Sequence, residues 1–271
     1  MCNPEARSRL LPIAQLPGNE ARRLRGLLFD VDDTLLDRGR LTEAAYSALW
    51  AARRSGLELV AVTGRPSEWG RLLCRQWPVD AVVAENGAVS WVCVGDRPTL
   101  FDRCSSAERA ARSQRLHSLV EELTRTVPEL VLSDDVRGRL SDVTFDIGEY
   151  RRLDAAVLER ALVQAESLGL TTSTSSVHLH VSLDSIDKSC GALGLAERLF
   201  GVDVARAKIE YAYIGDSEND SSCFATFSTT IGVANLSRGC TPLPRYLTRE
   251  QRGLGFAEAV GVLLAARAEA R

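Results

Sequence analysis

The sequence predicts an α/β fold, in which a doubly wound parallel sheet carries a smaller inserted α/β unit. Three observations carry this expectation. Apolar runs of strand length, around Leu27–Phe29, Leu57–Val62 and Ala81–Ala84, alternate with helical stripes, and each run ends in polar, Gly-bearing sequence. Within residues 91–183 the strand-like runs change to apolar/polar alternation, the mark of a sheet with one dry face. From Asp184 the first pattern resumes. The expected divisions are an N-terminal arm over 1–25, a core over 26–90 and 184–271, and a cap over 91–183.

The elements follow in order. Residues 1–25, with Pro4, Pro12, Pro17, Gly18 and several arginines, read as a leader or packed arm without chemistry. Gly26 to Phe29 reads as a strand buried on both faces. A helix over Thr42–Arg54 has Thr42 as cap, Gly56 as stop and Ala45, Ala48, Leu49 and Ala52 as its buried stripe. Pro66 suits the first turn of a second helix, in which Trp69, Leu72 and Leu73 share a face. In the inserted stretch, Ser105 and Glu108 form a capping-box signal before a long helix striped by Leu116, Leu119, Val120 and Leu123. Val143, Phe145 and Ile147 alternate with Thr144 and Asp146; Val177, Leu179, Val181 and Leu183 alternate with His178, His180 and Ser182. A helix over about Leu153–Leu168 lies between them, with further strands near 130–132 and 171–174. Two helices should cover one face of this small antiparallel sheet and leave the other open. After it come a helix opening at Asp187-Lys188-Ser189, strands at Tyr211–Ile214 and Thr229–Ala234, and a closing helix over Phe256–Ala266.

Composition excludes several classes. The chain has 271 residues, 45% hydrophobic and 25% charged, with a formal net charge of -3. That balance provides no basic footprint for nucleic acid or an anionic membrane. No apolar run is long enough to span a bilayer or to act as a signal peptide. The seven cysteines are scattered and none form Cys-x-x-Cys, which disfavours both a structural zinc and a disulfide framework. A cytoplasmic protein, monomeric or homodimeric, is expected. Cys74, Cys190 and Cys223 fall in helical patterns and read as core thiols; Trp69, Trp77 and Trp91 read as packing residues.

The chemistry gathers at strand ends. Asp30, Asp32 and Asp33 follow the first buried strand, and carboxylates there are costly unless they meet a metal or positive charge. Parallel strands bring Asp30/Asp32, Thr63, Lys188 and Asp216/Asn219/Asp220 to one edge. Asp30, Asp32 and Asp216 supply hard oxygen donors suited to Mg2+, while the Thr63 hydroxyl and the Lys188 ammonium suit phosphate oxygens. Taken singly, each has a plainer reading as an Asp-rich turn, a strand-end hydroxyl, a solvated lysine or a helix cap; it is their joint order that points to a site. His178 and His180 share a strand face but have no evident third metal ligand.

These residues resemble the haloacid dehalogenase superfamily of phosphatases, in the branch with a large α/β cap that includes Cof-like and sucrose-phosphatase-like members. Asp30-Val-Asp32-Asp33-Thr34 is similar to its first motif and Val62-Thr63-Gly64-Arg65 to its second. Lys188 matches the third, Gly215-Asp216-Ser217-Glu218-Asn219-Asp220 the fourth, and Glu85-Asn86-Gly87 the turn before the cap. Asp33 and Ser189 depart from the glycines usual at those positions. The resemblance implies that Asp30 forms an aspartyl-phosphate and that Asp32 serves as acid and then base. It further implies Mg2+ held by Asp30, the Asp32 carbonyl and Asp216, with Thr63 and Lys188 in the catalytic set. Gly64, Arg65 and Asn219 would bind phosphoryl or substrate, Asp220 would orient its neighbours, and His178 and His180 would offer cap contacts. The expected substrate is a small phosphorylated metabolite, a sugar phosphate first. Two alternatives stay open: a phosphomannomutase-like enzyme and a catalytically idle phosphate-binding module.

Overall fold

The computed structural model describes residues 10–95, 97–175 and 177–268, so residues 1–9 of the expected arm lie outside the described residues. Its main sheet has nine strands. Their spatial order is Leu11–Pro12, Tyr246–Leu247, Thr229–Gly232, Tyr211–Gly215, Gly26–Phe29, Glu58–Val62, Ala81–Ala84, Val89–Val94 and Arg97–Asp102. The first seven run parallel, Val89–Val94 turns back antiparallel, and Arg97–Asp102 reverses once more beside it. Gly26–Phe29 lies between Tyr211–Gly215 and Glu58–Val62, so the chain winds outward from it in both directions. Such a switch point opens a crevice at the carboxyl end of the strand, and Asp30 is the next residue.

Local expectations hold where they rest on near neighbours. The helix Glu43–Arg54 is capped by Thr42, whose Oγ1 accepts from Ala45 N (3.3 Å), and it buries Ala45, Ala48, Leu49 and Ala52. The helix Ser106–Thr126 opens on the Ser105/Glu108 capping box. The helix Ser67–Gln76 departs from its expected face: Gly70, Leu73 and Cys74 are buried, whereas Trp69 and Leu72 are exposed. Its buried face packs on Val89–Val94, a strand whose antiparallel return the periodicity did not announce. The described part of the arm is packed, with Leu11–Pro12 pairing Tyr246–Leu247 and Ile13, Leu16, Ala21 and Leu24 in the main core.

A separate three-stranded antiparallel sheet is built from Thr171–Thr174, His178–Ser182 and Asp142–Asp146. The helices Ser106–Thr126 and Ala155–Ser167 bury Leu116, Val120, Leu123, Ala161 and Ala165 with its apolar face. The expected strand near 130–132 is reduced to one bridge, Leu132 with Phe145. Residues 91–94 and 97–102 belong to the nine-stranded sheet, so the 91–183 segment divides between the two sheets. The polar face is not open, since Thr144, Asp146 and His180 are all buried. Among the described residues no helix is long and apolar enough to cross a membrane.

Candidate active site

Four strand ends and helix starts converge as the switch-point argument requires. Asp30, 4% exposed, lies at the end of the central strand, and its Oδ1 accepts from Lys188 Nζ at 2.6 Å. Lys188 opens the helix Lys188–Phe200, where Asp187 caps by accepting from Cys190 N (2.9 Å) and Ser189 Oγ donates to Asp187 (2.8 Å). That helix approaches the Glu85-Asn86-Gly87 turn almost backbone to backbone. A Cβ on Gly191 would meet Gly87 Cα at 2.4 Å, so the small residues set how far Lys188 reaches. Lys188 Nζ also donates to Asp220 Oδ1 (2.7 Å) and Asn219 Oδ1 (3.2 Å). Burial works against its charge, but Asp220 and Asp30 outweigh that and hold the ammonium above its usual range.

Oxygens of Asp30, Asp216 and Asp220 all lie within 4.8 Å of one another. Burial, followed by the surrounding charges, raises Asp30 to about 7 despite Lys188 and raises Asp216 to about 9. One ammonium thus leaves the acids under-compensated, and a hard dication suits this oxygen set. Asp220 contributes orientation instead of a free ligand. Its oxygens already accept from Lys188, from Tyr213 OH (2.6 Å), and from the amides of Asp216 (2.9 Å) and Ser217 (3.0 Å). The residues available to hold Mg2+ are therefore Asp30 and Asp216. The Asp32 side chain is not in the cluster, which leaves its main-chain carbonyl as the group the resemblance implies.

The Asp32 carboxylate, half exposed, accepts from Arg65 Nε (2.8 Å) and Nη2 (2.6 Å) in a bidentate pair. The Arg65 guanidinium lies 4.2 Å over the Trp69 ring, which explains why Trp69 is at the surface and not in the core. Thr63 is fully buried, its Oγ1 accepting from Arg65 N (3.1 Å). Asp33 adopts a left-handed φ of 56° and pairs with Arg252 Nε (2.9 Å), so the extra acid is neutralised locally.

A cavity of about 350 Å³ opens over these groups and is roofed by the small sheet and its loops, with Asp135, Arg139, Glu149, Tyr150, His178 and His180 in its wall. His178 Nε2 lies 2.8 Å from Glu149, and His180 Nδ1 lies 2.8 Å from Asp142. The two rings face different carboxylates, so they form no metal pair. Asp146 is occupied with the amides of Gly148, Glu149 and Tyr150, which holds the loop carrying Glu149 over the cavity. Cys74 and Cys223 are buried as expected, whereas Cys190 is exposed.

Two groups went unassigned from sequence. Glu85, buried at φ 50°, accepts from Ser67 N (2.9 Å), Leu140 N (2.8 Å), Ser141 N (2.7 Å) and Ser141 Oγ (2.5 Å). Arg139 donates to the Gly64 carbonyl (3.0 Å), Asp135 (2.7 Å) and Asp142 (3.0 Å). Together they fasten the inserted segment to the Thr63–Arg65 loop. The sequence marks Glu85 only as part of the Glu85-Asn86-Gly87 turn, without a role; nothing local distinguishes Arg139.

Comparison with known proteins agrees with this geometry. Residues 27–99 match the family of haloacid dehalogenase-like hydrolases. A phosphoglycolate phosphatase of Archaeoglobus fulgidus is 29% identical over 245 residues, covering 88% of this chain and 96% of its own. One from Pyrobaculum islandicum is 29% identical over 243 residues, covering 88% and 95%. The fold is shared with a crystal structure from Thermoplasma acidophilum (TM-score 0.70, 19% identity, 89% of this chain and 98% of that one). It is shared as well with the sucrose-phosphatase of Synechocystis sp. solved with sucrose and phosphate (TM-score 0.64, 14% identity, 89% and 98%). With its motifs converged on one buried crevice, the chain is similar to haloacid dehalogenase-like hydrolases over residues 27–99 and to phosphatases over most of its length.

Proposed function

We propose that the protein is a Mg2+-dependent phosphomonoester hydrolase that acts on a small phosphorylated metabolite, a sugar phosphate first, through an aspartyl-phosphate on Asp30. The observation that carries this reading is the buried Asp30 carboxylate, held 2.6 Å from Lys188 with Asp216 beside it and Asp32 half exposed two residues on. Held by Asp30, Asp216 and the Asp32 carbonyl, Mg2+ would supply the positive charge that lets a carboxylate approach a phosphoryl dianion.

The chain's own residues do the rest. Lys188 and the Thr63 hydroxyl hold phosphoryl oxygens. An Asp30 oxygen bonds to phosphorus as the bond from phosphorus to the ester oxygen breaks, and Asp32, entering the cycle protonated and parted from Arg65, passes its proton to that departing oxygen. Asp32, now a carboxylate, takes a proton from water as the water oxygen bonds to phosphorus and the Asp30–phosphorus bond breaks, restoring both residues.

The wall opposite this machinery supports an uncharged leaving group. Asp134, Asp135 and Glu149 line the cavity there, and Arg139 is already engaged by Asp135 and Asp142. A second reading, phosphoglycolate, is favoured by the names of the curated relatives, but its carboxylate would face these acids. A phosphate-release screen over sugar phosphates, 2-phosphoglycolate and p-nitrophenyl phosphate, with and without Mg2+, tests the proposal. The proposal expects release only with Mg2+ and fastest from a sugar phosphate. Fastest release from 2-phosphoglycolate supports the second reading, and no release from any ester with Mg2+ refutes both. Turnover in 18O-labelled water adds the distinction from a mutase: hydrolysis puts the label in free phosphate.

A further inference from the structure

The parallel strand Thr229–Gly232 ends at Gly232, and three residues on is Asn235, a strand-end polar residue of the same kind as Asp30 and Asp216. Its amide is fully used. Nδ2 donates to Asp216 Oδ2 (2.9 Å) and to the Asp33 carbonyl (2.9 Å), and Oδ1 accepts from Arg252 N (2.8 Å). Because the Arg252 amide can only donate, these partners fix which side of the Asn235 amide faces Asp216. The other Asp216 oxygen accepts from Thr34 Oγ1 (3.1 Å), so both oxygens of that carboxylate have a fixed donor.

A second tie closes the ring. Arg252 Nε donates to Asp33 Oδ1 (2.9 Å), and Arg252 and Asp33 both hold left-handed backbone, at φ 50° and 56°. Such conformations are strained in a non-glycine residue and persist where surrounding bonds over-determine them. Here those bonds join the first residue of the closing helix Arg252–Ala268 to the turn that carries Asp30 and Asp32, 219 positions earlier in the chain.

We propose that Asn235 is a positioning residue that fixes the Asp216 carboxylate and the Asp30–Asp33 turn in one relative geometry for metal binding, and that the Asp33–Arg252 pair stabilises the same arrangement. This rests on the reading of Asp30 and Asp216 as the Mg2+ site. Groups that orient ligands in this way commonly change metal affinity by ~10- to 100-fold when removed.

The test is isothermal titration calorimetry of the metal-free full chain with MgCl2, run alongside thermal melting without metal. Asn235→Ala is expected to weaken Mg2+ binding ~10- to 100-fold, Arg252→Ala to weaken it less, and Arg252→Lys, which keeps a cation for Asp33, to recover part of that loss. At saturating Mg2+ the KM of Asn235→Ala for p-nitrophenyl phosphate should stay near the wild-type value. Should the Ala variant fail to fold, Asn235→Gln keeps the amide but displaces it by one methylene and should show the same weakening. A variant that melts earlier yet binds Mg2+ as tightly as wild type overturns the positioning role alone. Wild-type protein that takes up no Mg2+ overturns the metal reading, and this inference with it.

Discussion

Two buried cations, Lys188 and Arg139, each gather carboxylates, and they do so to different ends. Lys188, 1% exposed, meets Asp30 and Asp220 while Asp216 remains close by without a cation of its own. The result is a centre short of positive charge, in which burial and mutual repulsion lift Asp30 and Asp216. Arg139, its side chain 1% exposed, meets Asp135 and Asp142 and also donates to the Gly64 carbonyl. Burial raises Asp135, but the bonds and charge of Arg139 outweigh it and hold that acid at about 2. Similar residue types thus make a centre suited to chemistry in one place and a fully paired fastening in the other. The difference lies in how completely the charges are matched.

The sharpest way to break the comparison is Asp30→Asn. It removes the proposed nucleophile and one repelling acid together, so hydrolysis should fall by at least ~10⁴-fold, as for other nucleophile deletions. The melting temperature should hold or rise, because the acid excess shrinks. Activity above a hundredth of wild type would sink the covalent route, and EDTA should silence the wild type in the same assay.

Lys188→Met should cost both activity and stability, since Asp30 and Asp220 are then buried without their shared cation. Losing one partner of such a group costs about 3–5 kcal/mol, readable by urea unfolding. Stability equal to wild type would show that water or a metal already serves these acids.

Arg139→Met, by contrast, should lower stability by a similar ~3–5 kcal/mol while leaving the Lys188 centre assembled. Its loss should be felt most in hydrolysis of the preferred substrate, because the roof of the cavity loosens. Equal loss on that substrate and on p-nitrophenyl phosphate would place Arg139 among the reacting groups.

Replacing His178 and His180 by Ala should raise KM for the preferred substrate up to ~10-fold, the scale of one lost hydrogen bond, with a smaller change for p-nitrophenyl phosphate. An unchanged substrate profile would assign specificity to the Glu149–Tyr150 loop instead.

The smallest effect is in acid. The Asp135 pKa in the folded chain, about 2, lies below the ordinary 3.8, so its pairing with Arg139 stabilises the fold fully above pH 3.8. That contribution fades as pH falls from 3.8 towards 2, and Asp135→Asn should flatten the stability curve in that window. An unaltered curve would mean that the pair contributes nothing net.

The sequence by itself determined the parallel core, the placement of Asp30, Thr63 and Asp216 at strand ends and of Lys188 at a helix start, and the caps at Thr42 and Ser105. Each of these follows from spacing within one element or from the rule that parallel strands share an edge. Tertiary structure alone decided that Trp69 turns outward under Arg65, that Glu85 and Arg139 close the roof onto the Thr63–Arg65 loop, and that Asn235 holds Asp216. It also decided that Thr144 and His180, which alternation placed on a wet face, are buried against other polar groups. Periodicity reports which side of an element is apolar; it carries no information on which distant backbone will meet the polar side. Arg139 and Gly64 are 75 positions apart, and Asp33 and Arg252 are 219. Such pairings arise only once the hydrophobic layers have fixed where each polar edge lies.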